Sequence, residues 1–346
     1  MSDAEWAVIE PALPVPAWLA GKGGRPARRC RRDYVNAIRY LVKEGIQWRA
    51  MPSDLPPWRT VYDVADGWHR SGATEAMHHQ LRRACRIAAG REPEPTAAVI
   101  DSQSVKAAEE VSRASRGYDA GKKVNGRKRH IAVDTIGLLL TVLVTAAAVQ
   151  DRDGARPLLW NLRKAFPKIK LAWADGGYAG KLITWAKTKL KPKLTLQIVK
   201  RPDDLHTFQV LPRRWVVERT LAWITRSRRT VRDYERLPGH HETMVWWAMI
   251  IILCTENDHG RLCCWRCPEA WRMALTSRSI FRWSRPVVAS RRSTAIPLAR
   301  LAARRRIRLS PPEQGSSPVS SALIAAAQSI SAMPVMPSVM LMPWWT

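Results

Sequence analysis

Acid is scarce in this sequence: 29 Asp and Glu stand against 57 Lys and Arg in 346 residues, a formal net charge of +28. An imbalance of that size does not choose a fold. It predicts attraction to a polyanion, because neutralising phosphates releases condensed counterions. Nucleic acid is the first such partner and an anionic membrane surface the second. Long apolar runs are missing too. The longest, Met244 to Cys254, is too short to cross a bilayer and reads as a buried helix, so no membrane partner is expected. The opening Met-Ser-Asp-Ala-Glu-Trp has no basic stretch followed by an apolar one, so no signal peptide is expected. The cysteines at 30, 85, 254, 263, 264 and 267 form no paired framework, which fits reduced thiols in a cytoplasm. Cys263, Cys264 and Cys267 with His259 match no common zinc-finger spacing and lack a second ligand pair.

Composition divides what is present into three zones, and the length allows two domains plus extras. Residues 1–92 read as a basic, tryptophan-rich helical domain. Asp33 is a candidate N-cap, Val35, Ile38, Leu41 and Val42 recur at helical spacing, and Gly45 ends the run. After the turn residues of 51–57, Trp58 opens a second helix carrying Trp68 and Arg70. Two short arginine-bearing helices with a tight connection fit a helix-turn-helix-like module, and equally a plain bundle with solvated arginines. Residues 93–257 alternate strands and helices. Strands are expected at 97–100 ending on Asp101, at 130–133 and 138–144 joined by a turn at 134–137, at 169–174 ending on Asp175, and at 194–199. A helix is expected from about Arg213 to Arg229. Residues 258–346 hold 13 arginines and no lysine, with a proline-punctuated, aperiodic end. They read as a mostly disordered extension.

Asp101 and Asp175 each follow an apolar strand, where a carboxylate is costly to desolvate unless it is paired or binds a metal. Strand ends of α/β sheets are also where sites assemble. Glu218 lies at the edge of a helical stripe formed by Val217, Leu221 and Ile224, and Arg214 falls near the same edge one turn earlier. Three acids on two strands and a helix suit a pair of Mg2+ ions, which take oxygen ligands and stabilise both the attacking and the leaving oxygen of a phosphoryl displacement. Spacing alone does not separate this triad from Asp134, Asp151 and Asp153, which read as turn and cap residues. The block 113–130, with Tyr118, Lys122, Lys123, Arg127, Lys128 and Arg129, reads as a glycine-rich basic loop. Its cations could hold phosphates and Tyr118 could stack on a base; the bland alternative is a solvated loop.

Taken together these residues resemble the bacterial insertion-sequence transposases of the DDE type, in the insertion-sequence-five group. The stretches that carry the resemblance are Asp3-Ala4-Glu5-Trp6, Gly45-Ile46-Gln47-Trp48-Arg49, residues 57–62, Asp101-Ser102-Gln103-Ser104-Val105-Lys106, the block 121–130, Asp151-Arg152-Asp153-Gly154, Asp175-Gly176-Gly177-Tyr178 and residues 214–220. Their order and spacing make the match specific from Trp6 to about residue 257. The resemblance implies a mixed α/β, ribonuclease-H-like catalytic core at 93–257 holding a metal-binding catalytic triad of Asp101, Asp175 and Glu218. It implies an N-terminal domain that binds the element's terminal inverted repeats. It further implies Mg2+-dependent nicking, with Mn2+ as a substitute, followed by transfer of the freed 3′ hydroxyl into target DNA. DNA contacts are expected at Arg49, Arg59, Lys106, Lys122, Lys123, Arg127, Lys128, Arg129, Arg214, Arg219 and Arg226, in a homodimer or larger assembly on DNA in the bacterial nucleoid. Two positions depart from the related signature: Leu211 stands where a tyrosine is usual, and Thr225, beside Arg226, where a basic residue is usual. A nuclease without strand transfer and a non-catalytic DNA-binding copy are the other two classes compatible with the residues.

Overall fold

The computed structural model describes residues 1–16, 19–24, 26, 28–191, 193–199 and 212–258, without the side chains of 212, 213 and 255–258. The arginine-rich extension beyond 258, with His259 and Cys263, Cys264 and Cys267, lies outside the described residues, as does Leu211.

The N-terminal zone is helical because its caps and stripes agree. α1 (Asp3–Ile9) starts on a capping box in which Ser2 and Glu5 each accept the other's backbone N–H. α2 (Arg31–Glu44) begins one turn earlier than expected: Cys30 is the N-cap, and Asp33 sits in the first turn, where the helix dipole favours an acid. Val35, Ile38, Leu41 and Val42 form its fully buried stripe. Gly45 ends it in the left-handed region (φ 73°), with no room for a Cβ against Arg228. α3 (Trp58–Arg70) and α4 (Ala73–Ala88) follow. The tight connection joins α3 to α4 through Ser71 and Gly72, whereas residues 45–57 separate α2 from α3. Any helix-turn-helix geometry therefore belongs to the second pair.

The sheet consists of β1 (Ala97–Lys106), β2 (Gly117–Asp119), β3 (Val124–Asp134), β4 (Leu139–Ala146), β5 (Leu171–Ala174) and β6 (Thr195–Ile198). β3 is antiparallel to β1 on one side and to β4 and β2 on the other; β1, β5 and β6 run parallel. An antiparallel hairpin followed by parallel strands is the ribonuclease-H-like order. The β3–β4 turn is tied by Asp134, whose Oδ1 accepts from the N–H groups of Ile136 and Leu138 while Gly137 takes φ 84°. α5 (Asp151–Ala165) and α6 (Lys181–Lys189) cover one face of the sheet, and α7 (Pro212–Ile224) and α8 (Pro238–Asp258) the other.

Two expectations need correction. β1 does not end on Asp101 but continues to Lys106. The block 113–130 is not a loop: most of it is β2, a turn whose Lys123 takes φ 54°, and the first half of β3. The reason is backbone pairing. Arg127, Lys128 and Arg129 sit opposite Val105, Ser104 and Gln103, so the segment is the second strand of a ladder. Gly126 is required there because a Cβ would meet the carbonyl oxygen of Val105 at 2.0 Å.

Candidate active site

Strand alternation decides which layer each group enters. Ala98 and Ile100 of β1 pack under α5, while Val99 packs under α7 and α8. Asp101 shares the parity of Val99 and so projects toward α7. Asp175 follows β5 and N-caps the short turn 176–178, its Oδ1 accepting from Gly177 N–H at 2.9 Å. Glu218 is exposed on α7, and Arg214 is one helical turn before it. The Arg214 guanidinium lies between the two acids, with Nη2 3.8 Å from Asp175 Oδ2 and 3.6 Å from Glu218 Oε1. Burial pushes the Asp101 carboxyl up to about 6; the neighbouring Asp175 charge adds to the rise, and Ser102 N–H, Lys122 and Arg214 oppose it.

The structure thus brings the three acids to one side of the sheet around one guanidinium. Among the described residues no three of His, Cys, Asp and Glu are close enough together to hold a metal ion jointly. The donor chemistry nevertheless fits a hard divalent cation. All three groups offer carboxylate oxygens, the Asp175 charge adds to the rise of the Asp101 carboxyl, and Asp175 and Glu218 share one positive group.

Behind Asp101 lies a network that spacing alone did not assign to the site. Ser102 Oγ donates to Asp151 Oδ1 at 2.8 Å. The Lys128 ammonium bridges Asp151 (3.0 Å) and Asp119 (3.4 Å). Asp119 also accepts from Ser104 Oγ and from Lys122 N–H, and Lys122 Nζ reaches the Ser102 carbonyl at 3.3 Å. Tyr178 is buried, and its hydroxyl, near Ser102, Asp101, Asp151 and Asp175, makes no well-formed hydrogen bond. Burial first, then the negative charges of Asp101 and Asp151, hold that hydroxyl well above its usual range. Asp151, read from sequence as a cap, lies in the first turn of α5 after the N-cap Gln150 and faces this network. The available signal was its place in the 151–154 stretch.

The basic residues divide. Arg127 is fully buried, with Nη1 on Asp233 Oδ2 and the Glu235 carbonyl, both at 2.8 Å. Arg129 is buried and donates to Gln103 Oε1 at 2.6 Å; Lys128 is buried in the acid network. Arg219 is held between the rings of Trp215 and Trp223 and donates to the Ile136 carbonyl. None of these four is exposed as the expected DNA contacts require: Arg127 and Lys128 pair with acids inside the protein, and Arg129 and Arg219 turn inward onto neutral acceptors. Arg49, Arg59, Lys106, Lys122, Lys123 and Arg226 are exposed. Arg59 pairs with Asp63 and lies over Tyr62, and Arg49 lies over Trp58.

Residues 92–253 match the family model of the transposase DDE domain, and residues 1–78 match that of transposases of the IS4/5 family. The chain belongs to the DDE transposases of the IS4/5 family. It is also similar to an uncharacterized 16.2 kDa protein of insertion element IS402 from Burkholderia cepacia, 26% identical over 113 residues, which is 31% of this chain and 73% of that protein. No solved structure matches the chain at a significant level. As a transposase it cuts and joins DNA, and transposase DDE domains work with divalent metal ions. No helix among the described residues is long and apolar enough to cross a membrane.

Proposed function

We propose that this transposase binds the terminal inverted repeats of its own insertion sequence and catalyses Mg2+-dependent strand cleavage and strand transfer, with Mn2+ able to replace Mg2+. In this reading Asp101, Asp175 and Glu218 hold the metal ions. Residues 1–92 bind the repeats, 93–257 form the catalytic domain, and 258–346 are an appended extension. The enzyme works as a homodimer or larger assembly on nucleoid DNA, because two ends must be paired. The observation that carries the reading is the convergence of Asp175 and Glu218 on Arg214, on the same side of the sheet as Asp101.

When bound, the ions would supply a polarised oxygen nucleophile and a stabilised leaving oxygen. In the first step water attacks a phosphorus at the element's end, the P–O3′ bond breaks and a 3′ hydroxyl is freed. In the second that hydroxyl attacks a target phosphorus, a new P–O3′ bond forms, and the target's own P–O3′ bond breaks to release a target 3′ hydroxyl. The chain's own part is positional. β1 and β5 hold two of the acids on rigid strands, and the Ser102–Asp151–Lys128–Asp119 network fixes the backbone beneath Asp101. Arg214 keeps the Asp175 and Glu218 carboxylates from repelling one another, and the exposed Lys122 and Lys123 offer positive charge to phosphate beside Asp101.

Asp101→Asn, Asp175→Asn and Glu218→Gln are each expected to retain binding to terminal-repeat DNA while losing nicking and joining of supercoiled substrate. An Asp175→Ala protein that still cut and joined DNA in Mg2+ would overturn the assignment. Inverted repeats with a short target duplication around the gene would support the choice of substrate.

A further inference from the structure

α5 has two faces of opposite character. Ala155, Leu158, Leu159 and Leu162 turn into the core under the sheet. Arg163 folds back onto the Pro167 and Ile169 carbonyls. The other face carries Arg152, Arg156, Trp160 and Lys164, all exposed. Their spacing of four residues aligns them along one ridge of the helix, spanning about 18 Å. Among the described residues, Arg156, Trp160 and Lys164 have no hydrogen-bond, ion-pair or ring partner, and Arg152 reaches Gln150 Oε1 at 3.4 Å. Asp153, in the first turn, is the single acid on this face.

A merely solvated face accounts for the three cations but not for the tryptophan. The Trp160 indole is 57% exposed, although a ring of that size is ordinarily kept from water. Cations with an interleaved aromatic are the elements of a nucleic-acid track, the charges for phosphates and the ring for a base. The ridge starts at the site, since Asp151 in the same helical turn as Arg152 bonds Ser102 beside Asp101. It then runs along the layer opposite α7 and α8, the layer against which α2, α3 and α4 pack. On the transposase reading, DNA gripped by the N-terminal helices would lie against that other layer, leaving the ridge to a second duplex.

We propose that this ridge seats the second DNA of strand transfer, the target duplex, with Arg152, Arg156 and Lys164 on its backbone and Trp160 stacked on a base unstacked at the joint. The proposal rests on the transposase reading above.

The full-length chain tests it as Trp160→Ala, Trp160→Phe and the triple variant Arg152→Ala/Arg156→Ala/Lys164→Ala. One probe is a duplex carrying the sequence that borders the gene; the other is an unrelated duplex with an unpaired bulge. Nicking of the first probe is expected to stay at the wild-type level in every variant. Affinity of the end-loaded protein for the second is expected to fall about tenfold in Trp160→Ala, and to return in Trp160→Phe. In the triple variant the slope of log K against log salt is expected to shrink by about 2–3. Unchanged affinity and slope would overturn the proposal, and so would equal losses on both probes. Failure of the transposase reading has a different signature: a wild-type protein that never nicks the first probe, whatever the ridge variants do to the second.

Discussion

Arg127 and Lys122 stand five positions apart on opposite sides of one turn, yet physical chemistry assigns them different work. Arg127 donates to Asp233, Ser115 and two carbonyls at full burial. Removing one partner of such a buried pair leaves an uncompensated charge, a loss of about 3–5 kcal/mol. Arg127→Ala is therefore expected to lower Tm sharply while leaving the salt slope of DNA binding untouched in whatever protein remains folded. Lys122→Ala/Lys123→Ala is expected to do the reverse: Tm within error of wild type, and a slope of log K against log salt smaller by about 1 per lysine. Thermal scans and salt titrations of both variants decide it, and a slope change in Arg127→Ala would restore the surface role the sequence pattern gave it. That pattern was misleading for a definable reason. The partner of Arg127 is 106 residues away in sequence, so nothing local marks the charge as satisfied. Asp101, Asp175 and Glu218 stand out in the sequence only as candidates among several acids, and it is the resemblance of the flanking stretches to transposases that selects them. The acid network behind them was not legible, because Ser102, Asp119 and Asp151 meet only once β1, β2 and α5 are brought together around Lys128 of β3.

At the scale of elements, apolar patterning located the helices and the cores of the strands, and failed where polar residues are paired rather than solvated. The first half of β3 reads as a basic loop and residues 102–106 lie past the expected end of β1, yet both belong to the longest ladder of the sheet. A further such case joins α8 to β4. The strand β4 has β3 on one side only, and there Glu242 of α8 accepts the N–H of Val144 at 2.8 Å. Burial pushes the Glu242 carboxyl up from 4.5 to about 7, with the Val144 N–H opposing and Glu75 adding to the rise. A carboxyl raised on folding contributes stability that is fully present below its unfolded value and is lost as pH rises through its folded value. Here the loss falls between about pH 4.5 and pH 7 and above. Glu242→Gln keeps an acceptor for Val144 and removes the charge. It is expected to raise Tm by a few degrees at pH 8.5, the gain shrinking steadily toward pH 5. A difference that does not change with pH would show that burial of the charge is not what Glu242 costs the α8–β4 contact.

For the whole molecule, α8 decides how the helical region and the sheet behave together. From Met244 to Cys254 it is apolar on all sides, as a helix segment buried between two layers must be. Met244, Trp247, Ala248, Ile250, Leu253 and Cys254 pack into the core shared by α1, α2, α3 and α4, while Val245, Trp246 and Met249 pack under the sheet. Composition divided the chain near residue 92, but it could not show that a helix almost 150 positions later completes the core of the first zone. Burying a large apolar side chain contributes about 1.5–3 kcal/mol. The four large ones facing the N-terminal helices, Met244, Trp247, Ile250 and Leu253, therefore account for about 6–12 kcal/mol of stabilisation, comparable with the roughly 5–15 kcal/mol that holds a whole domain folded. A fragment of residues 93–258 would expose that face to water. It is expected to give no cooperative thermal transition and to bind apolar dyes, whereas the full chain melts in one step. A fragment that melted cooperatively near the full-length Tm would show that the two zones are energetically separate. On the proposed function the coupling also bears on catalysis: helices that share a core with the layer bearing Glu218 would hold the DNA they bind in a fixed register with Asp101 and Asp175, and cutting position would be set by packing through α8 rather than by a flexible tether.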